Sequence, residues 1–495
     1  MIYDTIDNYS VEILSDDAEI RIVAKSKLNS KNIANLNSYF QKNAAGQYKK
    51  FLVTDSNVDA VLANVIRLGI TKGLYFDNDL NEPLSKRQLG DDINDHQIRH
   101  KRTIREQNYT STGQKLSAHW PIFKKFRDTG FGSIIRATMT LHQVCASRCS
   151  FCSTINRSRK DAISLEEAKQ FVVDLDERQA LFNKEYFPEY NKKYRDWSGS
   201  DIKLRGLILS GGGQPNLWPH FSEFVEWLSG RDIELGLITN GFPKHVDDEI
   251  YKCFRWIRLS ITPEDASPFY PDQQFDLQRF PISIQNNEHQ TFGMSYVYGP
   301  WTSDNLLMRL DAAADRWSAD YVRLLTDCNL PRDLQLNAHA DLGERLFRLG
   351  LVDEKGNPIS KIFHQLKLHS CPSDNFDVWE DNQCKLQIYN AFWDTTGHET
   401  SGKSYCYPCD SVTVLEENSK SAERRFNPKK WGTVTNDKVR NLYTMPVQAF
   451  FDPNKNCQAC LFVNNNKEVK RLASLNDAEF DHISIPPKID HINFP

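Results

Sequence analysis

The fold is decided by residues 145–152, Cys145-Ala146-Ser147-Arg148-Cys149-Ser150-Phe151-Cys152, which follow the apolar run from Ile134 to Val144. Three thiols separated by three and then two residues can surround one small inorganic cluster. Each thiolate can hold one iron of a four-iron cubane, so three protein ligands leave one iron without a protein ligand. This stretch therefore predicts a metal centre with one position open to chemistry.

Composition limits the classes of function that fit the chain. Its 495 residues suffice for two or three domains, and a net charge of −4 with a pI near 6.4 leaves no overall basic surface for nucleic acid. No apolar run approaches about 18 residues, and residues 1–7 lack the basic and apolar parts of a signal peptide. We therefore expect a cytoplasmic protein with no membrane partner.

Cysteine spacing also favours metal over disulfides. Seven of the 11 cysteines fall into three tight groups, which in a cytosolic protein indicates metal binding. The other four are scattered.

The N-terminal part reads as a small α/β domain at residues 1–90. Strand-like runs at Glu19 to Ala24, Lys50 to Thr54 and Gly73 to Phe76 alternate with helix-like stretches at 32–41 and 58–68. Residues 91–130 are charged and lack periodicity, which is typical of a linker or an arm.

Residues 131–335 alternate strands with helices. The predicted strands are Ile134 to Leu141, Leu204 to Leu209, Leu235 to Ile238, Ile257 to Ile261, Phe292 to Val297 and Tyr321 to Leu325. The predicted helices are Leu165 to Leu181, opened by the capping box Ser164-x-x-Glu167, Phe221 to Leu228 and Asn305 to Trp317. Repeated βα units predict a parallel sheet that curls into a partial (β/α)6 TIM-like barrel, with the cysteine loop at its C-terminal rim.

The insertion from Phe182 to Trp197 interleaves aromatic and charged residues. Stacking and basic side chains would suit contact with a substrate or nucleic acid. The alternative, which we favour, is an amphipathic helix packed on the barrel.

Small polar groups follow the next strands. The second strand ends in Ser210-Gly211-Gly212-Gly213-Gln214-Pro215, the third in Thr239-Asn240-Gly241, and the fourth carries Arg258-Leu259-Ser260. Glycines at a strand end allow close approach of backbone to a charged amino-acid end. These groups are predicted to meet at the same rim.

In this order, the Cys-x3-Cys-x2-Cys motif, the Gly-Gly-x-Pro-like turn, the Thr-Asn-Gly turn and the Arg-x-Ser strand resemble the radical S-adenosylmethionine superfamily over residues 130–330. The resemblance implies a 4Fe–4S cluster on Cys145, Cys149 and Cys152. Its open iron would bind S-adenosylmethionine, and reductive cleavage would yield a 5′-deoxyadenosyl radical that abstracts hydrogen from a substrate.

The resemblance also assigns cofactor contacts. Gly212, Gly213 and Gln214 would contact the methionine amino group, although the family usually has Glu in place of Gln214. Asn240 and Ser260 would lie near the ribose or the methionine carboxylate. Two apolar residues would pack on the adenine, Phe151 and Val297. The alternative for the three cysteines is structural zinc, which prefers four clustered ligands.

Residues 336–495 resemble a cysteine-rich extension of the SPASM or Twitch type. The set would be Cys384, either Cys406 or Cys409, Cys457 and Cys460, holding one auxiliary 4Fe–4S cluster that serves electron transfer. A zinc ribbon on the two Cys-x-x-Cys pairs is the alternative.

The remaining cysteines carry weaker predictions. Cys371 is a further possible ligand, and Cys253 is expected to be a core thiol. Cys328, next to Asp327 after the last barrel strand, is also expected in the core, with a hydrogen donor or base facing the substrate as the alternative.

Three functions remain open on the sequence. The first is a radical oxidoreductase or maturase acting on a peptide, supplied with electrons by a donor such as flavodoxin or ferredoxin. The second is the same chemistry on a sugar, nucleotide or tRNA base, and the third is a non-catalytic zinc or metal-binding scaffold.

Overall fold

The structure is a computed structural model, and it describes a defined part of the chain. The described residues are 2–6, 9–14, 19–24, 50–53, 109, 113–147, 149, 151–152, 154, 158–241, 246–261, 290–299, 302–327, 330, 332–354, 356–365, 383–395, 399, 402, 404–410, 436–447, 453, 460–481, 483 and 491–495.

The N-terminal strands form a four-stranded sheet of order β1-β2-β3-β4. The strands are β1 (Ile2–Ile6), β2 (Tyr9–Leu14), β3 (Glu19–Ala24) and β4 (Lys50–Val53). The first three pair antiparallel, whereas β3 and β4 are parallel. The two strands predicted at 19–24 and 50–54 are confirmed, and the hairpin of β1 and β2 was missed. The predicted strand at 73–76 and helices at 32–41 and 58–68 lie outside the described residues.

The main sheet has nine described strands in the order β11-β10-β9-β8-β7-β6-β5-β12-β13. Its strands are β5 (Arg136–Met139), β6 (Gly206–Leu209), β7 (Glu234–Thr239), β8 (Trp256–Ile261), β9 (Thr291–Tyr298), β10 (Tyr321–Thr326), β11 (Ile362–Gln365), β12 (Asn390–Asp394) and β13 (Tyr405–Tyr407). Every neighbouring pair is parallel except β12 with β13. The chain is thus a mostly parallel α/β protein, and all six predicted strands are present.

Helices connect these strands. They are α1 (Gly113–Ser117), α2 (Trp120–Thr129), α3 (Leu165–Val173), α4 (Gln179–Tyr186), α5 (Pro188–Ser198), α6 (Phe221–Ser229), α7 (Asp248–Lys252), α8 (Asp304–Arg316), α9 (Arg332–Arg348), α10 (Asn436–Thr444), α11 (Val463–Ser474) and α12 (Asp477–Asp481). The predicted capping box is present, because the Ser164 side chain accepts from the Glu167 N–H and the Glu167 carboxylate accepts from the Ser164 N–H. A π-helical turn at Asp174–Arg178 separates α3 from α4. No described helix combines the length and hydropathy needed to cross a membrane.

The main sheet has one face buried against helices, and its other face carries polar groups beside the apolar residues Ile208, Ile238 and Trp256. Leu207, Leu209 and Leu237 are fully buried on the first face, where each leucine contributes about 1.5–3 kcal/mol by leaving water. Side chains alternate along a strand, so Arg258, Ser260 and their in-register neighbours lie on the second face. We call this second face the polar face.

The C-terminal segment 491–495 packs against the first residues of several strands. Phe494 stacks edge-on against Trp256 of β8 at 5.4 Å between ring centroids, and His491 Nε2 lies 2.8 Å from Thr291 Oγ1 of β9. The Arg136 guanidinium of β5 donates to the carbonyl of Pro495. This segment therefore covers the edge of the sheet opposite the cysteine loop.

The aromatic insertion folds as α4 and α5. Phe182 packs on Tyr443 of α10 at 5.6 Å between ring centroids, and Tyr194 is fully buried with its hydroxyl 2.9 Å from His119 Nδ1. These contacts confirm the interpretation of residues 182–197 as packed helices.

Candidate functional site

The cysteine loop follows β5 at the C-terminal edge of the parallel sheet. Cys145, Cys149 and Cys152 are half-buried, and the Cys152 N–H donates to the Cys149 carbonyl at 3.0 Å. Phe151, beside the third thiol, is half-buried against the main core. A short loop with partly accessible thiols is a suitable support for ligands to a metal.

The glycine turn is locked to the residues that precede the first cysteine. The Gly213 N–H donates to the His142 carbonyl at 3.0 Å, and the Gln214 N–H donates to the Val144 carbonyl at 2.7 Å. His142 Nε2 donates in return to the Gln214 carbonyl at 2.7 Å. Three hydrogen bonds therefore set the distance between the turn after β6 and the loop after β5.

Glycine is required here by close packing. A Cβ on Gly213 would lie 2.4 Å from the Val144 carbonyl oxygen and 2.6 Å from the His142 carbonyl oxygen. A Cβ on Gly212 would lie 2.1 Å from Gln143 Oε1. A side chain at Gly213 would push the two loops apart, whereas one at Gly212 would displace the end of the Gln143 side chain.

Gln214 is a buried amide with an open hydrogen-bonding capacity. The residue is 3% exposed, and neither its Oε1 nor its Nε2 has a hydrogen-bond partner among the described residues. An unpaired buried amide costs about 1–3 kcal/mol. A bound ligand that supplies the missing donor and acceptor would remove this cost. Sequence reasoning assigned this residue to the cofactor.

Asn240 contacts the cysteine loop directly. Its Nδ2 donates to Ser147 Oγ at 2.9 Å and lies 3.9 Å from Cys145 Sγ. Thr239 Oγ1 donates to Asn216 Oδ1 at 2.7 Å and accepts from the Gly241 N–H at 3.0 Å, which holds the turn after β7 in place. Asn240 is thus placed to orient the first thiol.

Thr154 was missed by the sequence analysis. Its Oγ1 donates to the Gly212 carbonyl at 3.0 Å and lies 3.5 Å from Cys152 Sγ. It therefore links the third thiol to the glycine turn. A lone threonine after a cysteine motif carries no signal of this role in the sequence.

Ser260 and Val297 lie on neighbouring strands that end at the same edge. Ser260 of β8 is in register with Ser295 of β9, and both are half-buried. Val297 is two residues beyond Ser295, is half-buried and packs against the main core.

The proposed catalytic pair is only partly described. Asp327 directly follows β10 and is 5% exposed, with its carbonyl accepting from the Leu330 N–H at 3.3 Å. Cys328 lies outside the described residues, as do Cys371 and Cys457. Cys253, expected in the core, is half-buried against the core.

Three cysteines of the C-terminal set lie close together. Burial raises the pKa of Cys384 to about 12, and Cys460 raises it further. The pKa of Cys460 is also raised to about 12, mainly by burial and further by the charge of Cys409. Cys406 is separate: it is in register with Trp393 and packs against the main core, whereas Cys384 and Cys409 belong to a second apolar cluster.

Asn466 ties this group together. Its Oδ1 accepts from the Lys385 N–H at 2.7 Å, and its Nδ2 lies 4.0 Å from Cys460 Sγ. Cys384 precedes a 3-10 turn at Lys385–Ile388, and backbone N–H groups of the turn favour its thiolate. Such groups stabilise a thiolate bound to metal.

The donor atoms suit an iron–sulfur or zinc site, because thiolates are ligands for both. Within the described ranges, no three His, Cys, Asp or Glu side chains form a group that could hold a metal ion. The features that fit a bound cofactor are the three thiols on one loop, the orphan amide of Gln214 and the tight approach at Gly213.

Comparisons with known proteins find no matching family model and no matching curated protein. Among solved structures, Streptococcus suis SuiB bound to S-adenosylmethionine is similar at 12% identity, covering 67% of this chain and 70% of SuiB, with a TM-score of 0.40. SuiB bound to precursor peptide SuiA aligns at 11% identity over 89% of this chain and 88% of SuiB, with a TM-score of 0.41.

BtrN in complex with AdoMet and 2-DOIA aligns at 9% identity over 72% of this chain and 98% of BtrN, with a TM-score of 0.29. Alignments this loose transfer no residue role to the chain. SuiB and BtrN were each solved with S-adenosylmethionine bound.

Proposed function

We propose that this chain is a radical S-adenosylmethionine enzyme whose cofactor site lies between the cysteine loop and the glycine turn. The observation that carries the proposal is the hydrogen-bonded docking of Gly213 and Gln214 onto His142 and Val144, directly before Cys145. It sets an unpaired buried amide beside a loop of three thiols. A ligand with an amino-acid end and a metal-binding function fits that combination.

A 4Fe–4S cluster on the three thiols would supply the electron that cleaves S-adenosylmethionine reductively. The chain's own residues bind and orient. Gln214 offers a neutral acceptor to an ammonium group, which gives a weaker contact than a carboxylate would. Asn240 orients Cys145 through its amide, and Thr154 holds Cys152 against the turn.

The second thiol group, Cys384, Cys409 and Cys460 with Cys457, is proposed to hold one auxiliary 4Fe–4S cluster. Its support is the mutual effect of the three described thiols on their pKa values, together with Asn466, which contacts Cys460 and the backbone beside Cys384. Zinc is the alternative, and elemental analysis of anaerobically purified protein separates the two metals.

A partial barrel is also part of the proposal. Segment 491–495 is a compact turn, since the Phe494 N–H donates to the His491 carbonyl at 2.9 Å. It nevertheless contacts both β5 and β9, which are four strand spacings or about 19 Å apart in a flat sheet. A curved sheet brings these strand ends within reach of one short turn. The domain limits 1–90, 91–130, 131–335 and 336–495 belong to the same proposal.

The proposed function is tested by anaerobic reconstitution with iron and sulfide, followed by reduction with dithionite in the presence of S-adenosylmethionine. Release of 5′-deoxyadenosine is expected from the wild type and from Cys253→Ala, which alters a half-buried thiol outside both groups. Cys149→Ala should release none. Equal release by Cys149→Ala would refute the assignment, as would zinc without iron at the cysteine loop. The oxidoreductase or maturase class and a flavodoxin or ferredoxin donor remain parts of the proposal.

A further inference from the structure

Arg258 is a cation on the polar face of the sheet that the proposed cofactor chemistry does not use. It lies two residues before Ser260 on β8, so its Cα is about 6.6 Å deeper from the C-terminal edge. Its guanidinium is 5.8 Å from the Trp256 ring centroid, and burial raises the pKa of the Tyr321 hydroxyl, a rise that this guanidinium opposes. Among the described residues it forms no ion pair, and its side chain is half-buried rather than solvated.

The sheet register explains why Arg258 is held in place. Arg258 pairs with Gly293 of β9, and Gly293 pairs with Tyr321 of β10. A Cβ on Gly293 would lie 2.0 Å from Tyr321 Cζ, so the tyrosine ring occupies the space above the glycine. The missing side chain therefore lets the Tyr321 hydroxyl reach across β9 to the guanidinium.

Charged groups of both signs lie around Arg258. Burial lowers the pKa of Arg136 and the charge of Arg258 lowers it further, whereas Asp410 opposes that fall. Burial raises the pKa of Tyr321, Arg258 opposes that rise, and Asp320 adds to it. A partly desolvated guanidinium without an ion partner is unfavourable unless an anion joins it.

Hydroxyl donors lie one step closer to the C-terminal edge. Ser260 and Ser295 are in register on β8 and β9, and both are half-buried. Neither hydroxyl makes a hydrogen bond within the part of the chain that the structure describes. The register also pairs Ser295 with Arg323 of β10, so the row above Arg258 is polar across three strands.

We propose that Arg258, together with the Ser295 hydroxyl, is an anion site that binds a carboxylate of the substrate beneath the proposed cofactor site. A guanidinium presents parallel N–H donors that match a carboxylate. One unpaired guanidinium supplies a single positive charge, which balances a carboxylate better than a doubly charged phosphate. The substrate class is thereby an acid, such as a peptide with an acidic side chain or a free C-terminus. That it is a substrate group rests on the proposed function.

The test uses the full chain and two small anions, acetate and inorganic phosphate, with chloride at the same ionic strength as the reference. Acetate is expected to raise the melting temperature of the wild type. Arg258→Gln should lose this effect with about a tenfold or greater loss of acetate affinity, as for one charge-assisted hydrogen bond. Arg258→Lys keeps the charge without the planar fork, so it should show intermediate stabilisation. Arg316→Gln, which removes an exposed arginine 5.5 Å from the Trp317 ring centroid, should behave as the wild type.

Equal stabilisation of Arg258→Gln and wild type by acetate would overturn the inference, and stronger stabilisation by phosphate would overturn the carboxylate assignment. If Arg258→Gln does not fold in chloride, Arg258→Lys is measured in its place. An acetate affinity of Arg258→Lys equal to that of the wild type would then refute the inference.

Binding of labelled S-adenosylmethionine to the reconstituted protein separates the two proposals. Unchanged binding by Arg258→Gln is expected, and its loss would assign the guanidinium to the carboxylate of S-adenosylmethionine and overturn the inference. If acetate raises the melting temperature of the wild type but the reconstituted wild type binds no S-adenosylmethionine, the proposed function is refuted and the anion site is retained.

Discussion

Replacing Gly213 by alanine tests the docking between the glycine turn and the cysteine loop. The new Cβ would lie 2.4 Å from the Val144 carbonyl oxygen and 2.6 Å from the Val144 nitrogen. These are backbone atoms, so no flexible side chain can move aside. The turn must shift, and the hydrogen bonds from the Gly213 and Gln214 N–H groups are lost or lengthened.

The magnitude follows from these contacts. Two backbone hydrogen bonds contribute about 1 kcal/mol each, and overpacking costs about 1–3 kcal/mol. Gly213→Ala is therefore expected to lower the free energy of unfolding by about 3–5 kcal/mol. Because the same contacts position the cysteine loop, it should also reduce the iron retained after reconstitution.

The assay is urea unfolding followed by tryptophan fluorescence, with iron counted in the same preparations. Gly230→Ala is the matched control, because its φ is −77° and the nearest atom to its new Cβ is 3.8 Å away. It should leave stability within about 0.5 kcal/mol of wild type. A Gly213→Ala protein with wild-type stability and a full iron content would refute the docking argument.

Three further predictions concern other parts of the chain. Cys409→Ser should lower the metal content of the second thiol group, whereas Cys406→Ser should not; equal losses in elemental analysis would contradict the grouping. Phe494 is 5% exposed and packs against Trp256, so Phe494→Ala should destabilise the fold by about 3 kcal/mol in urea titrations. An unchanged unfolding midpoint would exclude a packing role for Phe494. Burial lowers the pKa of Lys125 to about 7. Above that pH the unfolded chain binds more protons than the folded chain, so the stability of the wild type should rise by up to about 1.4 kcal/mol per pH unit until the usual lysine pKa near 10.4 is reached. Lys125→Met should remove this rise with pH, and an identical rise in the variant would contradict the assignment.

Local patterns were sufficient to predict the regular elements. The six βα strands are present because each is a short apolar run bounded by polar turns. The helix after Ser164 begins where its capping box predicts, since that motif satisfies backbone donors within four residues. The π-helical turn at Asp174–Arg178 has no comparable local signal and was missed.

The two cysteine groups illustrate the limit of sequence reasoning. Spacing alone left Cys406 and Cys409 as alternatives, because both lie within reach of Cys384 along the chain. Strand pairing places them apart: Cys406 is opposite Trp393 and packs against the main core, whereas Cys409, after β13, belongs to the second cluster. Side-chain alternation is known only once the register is known.

The sequence by itself determined the cysteine motif, the order of strands and helices, and the glycine turn, because each depends on residues close together in the chain. Only the tertiary structure decided that Gly213 docks onto His142, that segment 491–495 covers the opposite strand ends, and that Arg258 lies below Ser260 without an acidic partner among the described residues. These features join residues far apart in sequence, and their contacts arise from strand order and register, which no local pattern encodes.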